Sequence, residues 1–422
     1  MVSTKIEFSR TQWASGQGFF HSGRVAIAGA SFLYVYDCGS FDLSAMSREI
    51  DAFLNRYHAP IDVLFVSHFH YDHVSGLPYL LRAGVVRSLV LPLIPESDKV
   101  IALCHALASG VTPEAWYLRF LANPRLGIQE LDPECEIYEL QPQLPSDDPD
   151  DDDDASDVED AHVDSDNLVY GDLLDAPPEG RSREEVHEAP RFDRGESPSV
   201  VASSQAGAEV PVWIFKPLLT SFAAKRTETF LSCLAKTLGV TPKKLSRMLA
   251  SSSELEELVA TRADDMIDAY LAVFPDLNLT SMLLYSGPSS HFSSQGVNYR
   301  SRSTVERGEV NAWSMRPAWL GTGDQKIGSR RSTEVAKFYG QLLGRVGTLA
   351  LPHHGSSGSF HPRLMRYLDM SRIVSVVSVG AKNGYGHPHS EVMRHVSSAG
   401  SHIVIVTDDE ASRWTEAAVC YL

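Results

Sequence analysis

Apolar and polar positions alternate on two length scales along this chain. Over roughly residues 1–140, short apolar runs rich in β-branched and aromatic residues (FLYVYDCGS at 32–40, IDVLFVSH at 61–68, VRSLVLPLI at 86–94) read as strands. Between them, SAMSREIDAFLNRYH (44–58) and VIALCHALASG (100–110) carry helical periodicity. Such interleaving predicts layered α and β elements. VWIFKPLL (212–219) predicts a further strand, and the stretch from Thr220 to Phe274 is helical, with Gly239 and Pro242 marking a turn. From Leu277 the strand pattern returns in LNLTSMLLYSG, AWLGTGD, VGTLALPHHGSS, RIVSVVSVGA and SHIVIVTDD. The expected division is 1–145, first half of an α/β domain; 146–206, an inserted segment; 207–276, a strand and helical insertion; and 277–422, the second half. No repeat at solenoid periods is present.

Charge changes this picture in one place. The net charge is −17, yet 20 Asp/Glu and 4 Lys/Arg fall between Ser146 and Glu196, leaving 34 acids against 33 bases elsewhere. A block such as SDDPDDDDDASDVEDAHVDSD repels itself and buries nothing, so 146–206 is expected to be a disordered, low-complexity insertion. It is a solvated spacer, or else a mimic of nucleic acid, a cation sponge or a contact for a protein partner. The five cysteines (Cys38, Cys104, Cys135, Cys233, Cys420) are scattered without CxxC spacing, which predicts reduced, packed thiols. Neither a secretory signal nor an apolar stretch of about 18 residues is evident, so a cytoplasmic location without membrane contact is expected.

The chemistry concentrates in FVSHFHYDHVSGL (65–77), at the end of a predicted strand. His68 and His70, two apart in an extended segment, point the same way, and Asp72 and His73 follow in the turn. That arrangement suits two adjacent metal ions; imidazole and carboxylate together favour zinc or, with more oxygen, manganese or iron. Burying such a cluster with nothing to pair it would be costly.

This HxHxDH pattern resembles the metallo-β-lactamase superfamily, and further pieces follow in the expected order. GQGFFHSG (16–23) and FLYVYDCGS, with Asp37-Cys38-Gly39 as the Asp-x-Gly, look like its opening strands. Asp324 in WLGTGD matches the aspartate that bridges both metals, and LPHHGSSGS supplies a late histidine, His354 or His353. The last hundred residues, including HHGS and NGYGHPH, look like the metallo-β-lactamase domain of the competence protein ComEC and related soluble bacterial hydrolases. The resemblance implies a four-layer αββα sandwich interrupted by the acidic and helical insertions. It implies two divalent ions, Zn²⁺ or Mn²⁺, on His68, His70, Asp72, His73, Asp324 and His354 (or His353). A further histidine usually found between the first cluster and the bridging aspartate has no clear equivalent. His291 lies in the right order, His105 in a helix-like run, and His162 and His187 in the acidic tract.

The implied mechanism is hydrolysis by a hydroxide bridging the metals, with Asp72 orienting it. His387 would protonate the leaving oxygen or hold a phosphoryl oxygen, given a pKa near neutrality. Asn383, Ser356 and Ser357 are expected phosphate contacts, whereas His389 is incidental and His21 and His361 are weaker candidates. The ComEC-like pieces imply a phosphodiesterase or nuclease, DNA favoured, and Lys/Arg clusters such as KKLSRM and GDQKIGSRR are available to follow phosphates. The alternatives are hydrolysis of a small phosphoester, nucleotide or cyclic nucleotide, or a regulatory protein with a subordinate metal site and a partner on the acidic tract or helical insertion.

Overall fold

The computed structural model describes residues 5–27, 29–144, 191–193, 199–203, 209–220, 224–274, 281–289, 300–305, 308–309 and 316–421. The first part of the chain runs β1 (Lys5–Gln12), β2 (Gly18–Ile27), β3 (Ala30–Ser40), α1 (Leu43–Arg56), β4 (Val63–Phe65), α2 (Tyr71–Val74), α3 (Leu77–Arg82) and β5 (Ser88–Pro92). There follow α4 (Glu96–Ala108), α5 (Ala115–Ala122), α6 (Pro124–Gln129), β6 (Glu136–Leu140), β7 (Arg191–Asp193), β8 (Ser199–Ser203) and β9 (Glu209–Leu218). Three helices come next, α7 (Ala224–Leu238), α8 (Pro242–Leu249) and α9 (Ser252–Leu271), then β10 (Leu283–Pro288), β11 (Arg300–Val305), β12 (Gly308–Glu309) and β13 (Ala318–Gly321). The chain ends α10 (Ser329–Tyr339), β14 (Val346–Ala350), β15 (Val374–Ser378), α11 (Ser390–Ser398), β16 (His402–Val406) and β17 (Trp414–Tyr421).

Two sheets result. One is ordered β12-β11-β17-β1-β2-β3-β4-β5-β6, the other β16-β15-β14-β13-β10-β9-β8-β7. The period-two alternation of each strand decides what lies on either face. In β3, Leu33 and Val35 enter a core shared with α1, α4 and α5, while Phe32, Tyr34 and Tyr36 enter a second core facing Phe215, Leu284 and Trp319 of the other sheet. β10 behaves likewise: Leu284 points inward, whereas Leu283 and Tyr285 join Val335, Tyr339 and Val392 from the helices outside the second sheet. Helix, sheet, sheet and helix thus stack as four layers, the αββα sandwich expected from the sequence. The first sheet draws strands from both ends of the chain, since β17 pairs antiparallel with β1.

The ordered framework extends into the segments expected to be insertions. β7 and β8 fall inside 146–206 and pair with each other at the edge of the second sheet. β9, grouped with the helices in 207–276, pairs with both β8 and β10 and is an interior strand. The acidic composition runs as far as Glu196 and masks the strand pattern there. The helices α7–α9 share one continuous core with α4 and α5: Phe230, Leu234, Tyr270 and Phe274 belong to the same cluster as Ile101, Cys104 and Phe120.

A buried ion pair joins the layers. Arg10 in β1 stands opposite Glu416 in β17 and donates from Nε to Glu416 Oε2 at 2.7 Å, while Thr348 Oγ1 in β14 donates to the same oxygen at 3.0 Å. Removing one partner leaves an uncompensated charge in the core, so Glu416→Ala is expected to cost about 3–5 kcal/mol by denaturant unfolding. Arg10→Met with Glu416→Leu, which removes both charges, should recover most of that loss.

Asp98, in the first turn of α4, accepts from Ser97 Oγ at 3.1 Å, and its Oδ2 has no hydrogen-bond partner. Burial pushes its carboxyl up to about 8. The helix N-terminus favours the anion by only about 1 kcal/mol, too little to reverse this. The unfolded chain releases this proton first, so stability is highest below the ordinary value of 3.8 and falls as pH rises towards about 8. The slope is at most about 1.4 kcal/mol per pH unit. Asp98→Asn should flatten unfolding free energy against pH in that window.

Candidate metal centre

The candidate ligands gather beyond the carboxyl ends of parallel strands, where open α/β sheets place their sites. His68 to His73 follow β4, Asp324 follows β13, His354 follows β14 and His387 follows β15. The arrangement begins with a bulge in β3. Phe20 pairs with Cys38 and His21 with Tyr36, so Asp37 is the extra residue, with φ 55°. An aspartate tolerates this left-handed conformation better than most side chains, and the bulge turns its carboxylate towards the loop after β4. Asp37 accepts there from Ser67 N and Ser67 Oγ, both at 2.6 Å, and lies 2.8 Å from His73 Nδ1.

Hydrogen bonding to one ring nitrogen directs the other. His68 Nδ1 is 2.8 Å from Ser67 Oγ, His73 Nδ1 reaches Asp37, and His354 Nδ1 is 2.7 Å from the Ser378 carbonyl oxygen. The tautomers these contacts assign carry the proton on Nδ1. The Nε2 atoms of His68, His73 and His354 are buried without a hydrogen-bond partner, as are His70 Nδ1, Asp72 Oδ1 and His105 Nδ1. Asp324 divides its oxygens: Oδ1 lies 3.3 Å from His73 Nε2 and 4.0 Å from His354 Nε2, and Oδ2 lies 3.8 Å from His68 Nε2. His354 Nε2 is 3.6 Å from Asp72 Oδ2. Ligands on one zinc ion at about 2.1 Å stand roughly 3.4 Å apart, so these spacings suit divalent ions. Among the described residues, three groups have ligand atoms within 4.8 Å of one another: His68, His73 and Asp324; His70, Asp72 and His105; and Asp72, His73 and His354.

The electrostatics also suit cations, which need deprotonated ligands. Burial holds His68 and His70 neutral, lowering both well below their ordinary value. Burial opposes ionisation of Asp324, but His73, His353 and His354 outweigh it and keep its pKa well below the usual range. Asp72 is likewise held at about 2, burial being outweighed by His73 and by the nearby His354 ring. Burial also opposes a proton on His73, and Asp324, Asp37 and Asp72 more than compensate, raising its pKa.

His105 is the residue that motif reasoning passes over. It lies on α4, its ring 4.2 Å from that of His70 at 23°. The available signal is its place on a helix otherwise buried through Ile101, Ala102, Leu103, Cys104 and Ala106. Of the two adjacent histidines, His354 joins a candidate group; His353 Nδ1 is 3.1 Å from Ser359 Oγ, and its Nε2 is 4.0 Å from Asp324 Oδ2.

The expected substrate residues divide. His387 is at the site, its ring 5.0 Å from that of His353, with Nδ1 lacking a hydrogen-bond partner. Burial, then His353 and His354, lower its pKa to about 3, so the pKa near neutrality expected for an acid is not found. A neutral ring can still donate a hydrogen bond. Asn383 is committed to its own loop: Nδ2 donates to the Gly380 and His387 carbonyl oxygens, and Oδ1 accepts from His387 N. These bonds hold the His387 backbone in place. Ser356 is buried, with its backbone N donating to the His353 carbonyl oxygen. Ser357 donates from N to His389 Nδ1 at 2.9 Å, and its Oγ is 2.8 Å from the same atom, so His389 fixes this turn. His21 is inside the sandwich, stacked 4.1 Å from Trp319, and His361 Nδ1 accepts from Arg363 N. His291, His162 and His187 lie outside the described residues.

A family model described as Metallo-beta-lactamase superfamily matches residues 25–181 of the 422, a stretch that includes the His68–His73 cluster. The sandwich and the buried histidine–aspartate groups accord with that match. No curated protein matches the sequence. No helix among the described residues is long and apolar enough to cross a membrane.

Because Asp37 holds both Ser67 and His73, its effect should appear in metal affinity. Asp37→Ala is expected to weaken divalent-ion binding about 10- to 100-fold, measured by calorimetric titration.

Proposed function

We propose that the protein is a two-metal phosphodiesterase acting on nucleic acid, DNA in the first instance. The observation that carries the two-metal reading is Asp324, whose two oxygens face different histidines, His68 on one side and His73 with His354 on the other. Two ions would be held among His68, His70, Asp72, His73, His105, Asp324 and His354, whose atoms form the three overlapping groups above. His105 then takes the place for which the motif comparison finds no equivalent. Divalent ions, zinc or manganese, would supply an activated water and polarise the phosphoryl oxygens.

The chain's own groups do the rest. Asp72, whose Oδ1 has no hydrogen-bond partner, orients the attacking water. His387, neutral and held by Asn383, donates a hydrogen bond to a phosphoryl oxygen. The phosphodiester reading is supported by the meeting of the two ComEC-like loops: His353 faces His387, and Ser357 is tied to His389. With the acidic segment set aside, the charges of the body nearly cancel, so local basic patches can follow a phosphate backbone.

A second reading, a small phosphoester or nucleotide as substrate, is favoured by one contact. Tyr385, on the loop of His387, lies with its hydroxyl 3.0 Å from Ser109 Oγ at the end of α4. This bridge narrows one side of the site.

End-labelled single- and double-stranded DNA with Mn²⁺ or Zn²⁺ distinguishes them. Wild type should cut, Asp72→Ala should lose about 10²- to 10⁴-fold in rate, and His387→Ala about 10²-fold. Absence of cutting by metal-loaded protein, with hydrolysis of bis(p-nitrophenyl) phosphate intact, would replace DNA by a small ester.

A further inference from the structure

The residue after Asp324 has an unusual set of partners. Gln325 Oε1 accepts from Thr220 Oγ1 at 2.8 Å and from Ser281 N at 3.3 Å, and its Nε2 donates to the Lys326 carbonyl oxygen at 3.1 Å. All of Thr220, Ser281 and Gln325 are buried. Thr220 stands just after β9 and Ser281 just before β10, so one amide oxygen binds both ends of the segment that contains α7–α9. Ser281 in turn touches the centre: its Oγ accepts from Asp324 N at 3.1 Å and lies 3.4 Å from His68 Nδ1. Packing here leaves no slack, since a Cβ on Gly323 would come within 2.1 Å of Ser281 Oγ. Next to it, Met282 N donates to the Ser67 carbonyl oxygen at 2.8 Å, and Met282 O accepts from the Tyr36 hydroxyl.

The helices reach the centre from a second direction. Tyr270 and Phe274 at the end of the segment share a core with α4, which carries His105. Tyr117 of α5, in that same core, donates to the Phe69 carbonyl oxygen at 2.8 Å, between His68 and His70.

We propose that Gln325 is a positioning residue that couples the helical segment to the metal centre: by holding Thr220 and Ser281 on one oxygen it keeps Asp324 and His68 in ligating pose. This rests on the reading of these residues as metal ligands. Docking of α7–α9 then sets metal affinity, and the segment is a working part of the centre rather than only a surface for partners. The physical basis is the buried acceptor. Without it two buried donors lose their partner, and the backbone that carries Asp324 and Ser281 is free to relax.

The test is Co²⁺ titration of the full chain, read by visible absorption and by metal content, on wild type, Thr220→Val, Thr220→Ser and Gln325→Met. Thr220→Val keeps shape and removes the donor; Thr220→Ser keeps the donor. The expected result is a Co²⁺ dissociation constant raised about 10-fold or more, with an altered ligand-field spectrum, in Thr220→Val and Gln325→Met, and a return to wild-type values in Thr220→Ser. Circular dichroism establishes folding, and if Gln325→Met does not fold the Thr220 pair decides. Unchanged affinity and spectrum in Thr220→Val, or a Thr220→Ser variant as weak as Thr220→Val, would overturn the coupling. Wild-type protein that takes up no Co²⁺, with Asp72→Ala indistinguishable from it, would overturn the metal reading itself and the coupling with it.

Discussion

One carboxylate, that of Asp37, organises the centre. It receives the backbone N and hydroxyl of Ser67 and engages His73 Nδ1, so the bulge of β3 and the loop after β4 are joined at a single point. Through Ser67 the same carboxylate reaches His68, whose Nδ1 is aimed at the serine oxygen. Two histidines therefore present Nε2 inward because of one side chain that itself faces away from the gathered donors. A bulge is needed because Cys38 packs into the outer core and Tyr36 into the inner one. An unbulged strand would put Tyr36 and Cys38 on the same face.

Burial makes the rest of the electrostatics cooperative. Asp72 and Asp324 stay ionised in a site almost closed to solvent only because histidines surround them, and His73 holds its proton only because three carboxylates do. Each group's state is thus conditional on the others. Cations held here would require loss of the proton on His73 and would be met by both carboxylates, which would link binding to proton release. The late loops depend less on such charges. Asn383 and His389 tie them by hydrogen bonds among their own residues, which keeps His387 and Ser357 in place independently of the ligand cluster.

Much of this is legible in the linear chain, and the failures have physical causes. His68, His70, Asp72 and His73 stand out because strand and turn place them together within six residues, a local arrangement. Asp324 and the pair His353–His354 are found by order along the chain. The choice between the two histidines is made by backbone conformation, both having positive φ, which leaves His354 aimed at Asp72 and His353 at Ser359. His105 is illegible because nothing near it in sequence is a ligand; only the docking of α4 brings it to His70. The bonds of Asn383 to its own loop are not foreseen, since an amide in a turn serves phosphate or its own backbone equally well, and loop closure lies outside local pattern. β7 is missed because acidic composition runs through it to Glu196, and β8 because it is a short run just beyond that tract.

The helical segment illustrates how a long excursion becomes part of a site. The chain leaves the second sheet at Leu218 and rejoins it at Leu283, and these two residues are paired in the antiparallel register of β9 and β10. Ends that meet so closely make a long excursion inexpensive, because the entropy of closing a loop grows only slowly with its length. Yet α7–α9 pack with α4 and α5 on the outer face of the first sheet, so a segment whose ends lie in one sheet is buried against the other. A segment with both ends beside Asp324 and its helices behind His105 cannot dock without constraining the donors between them.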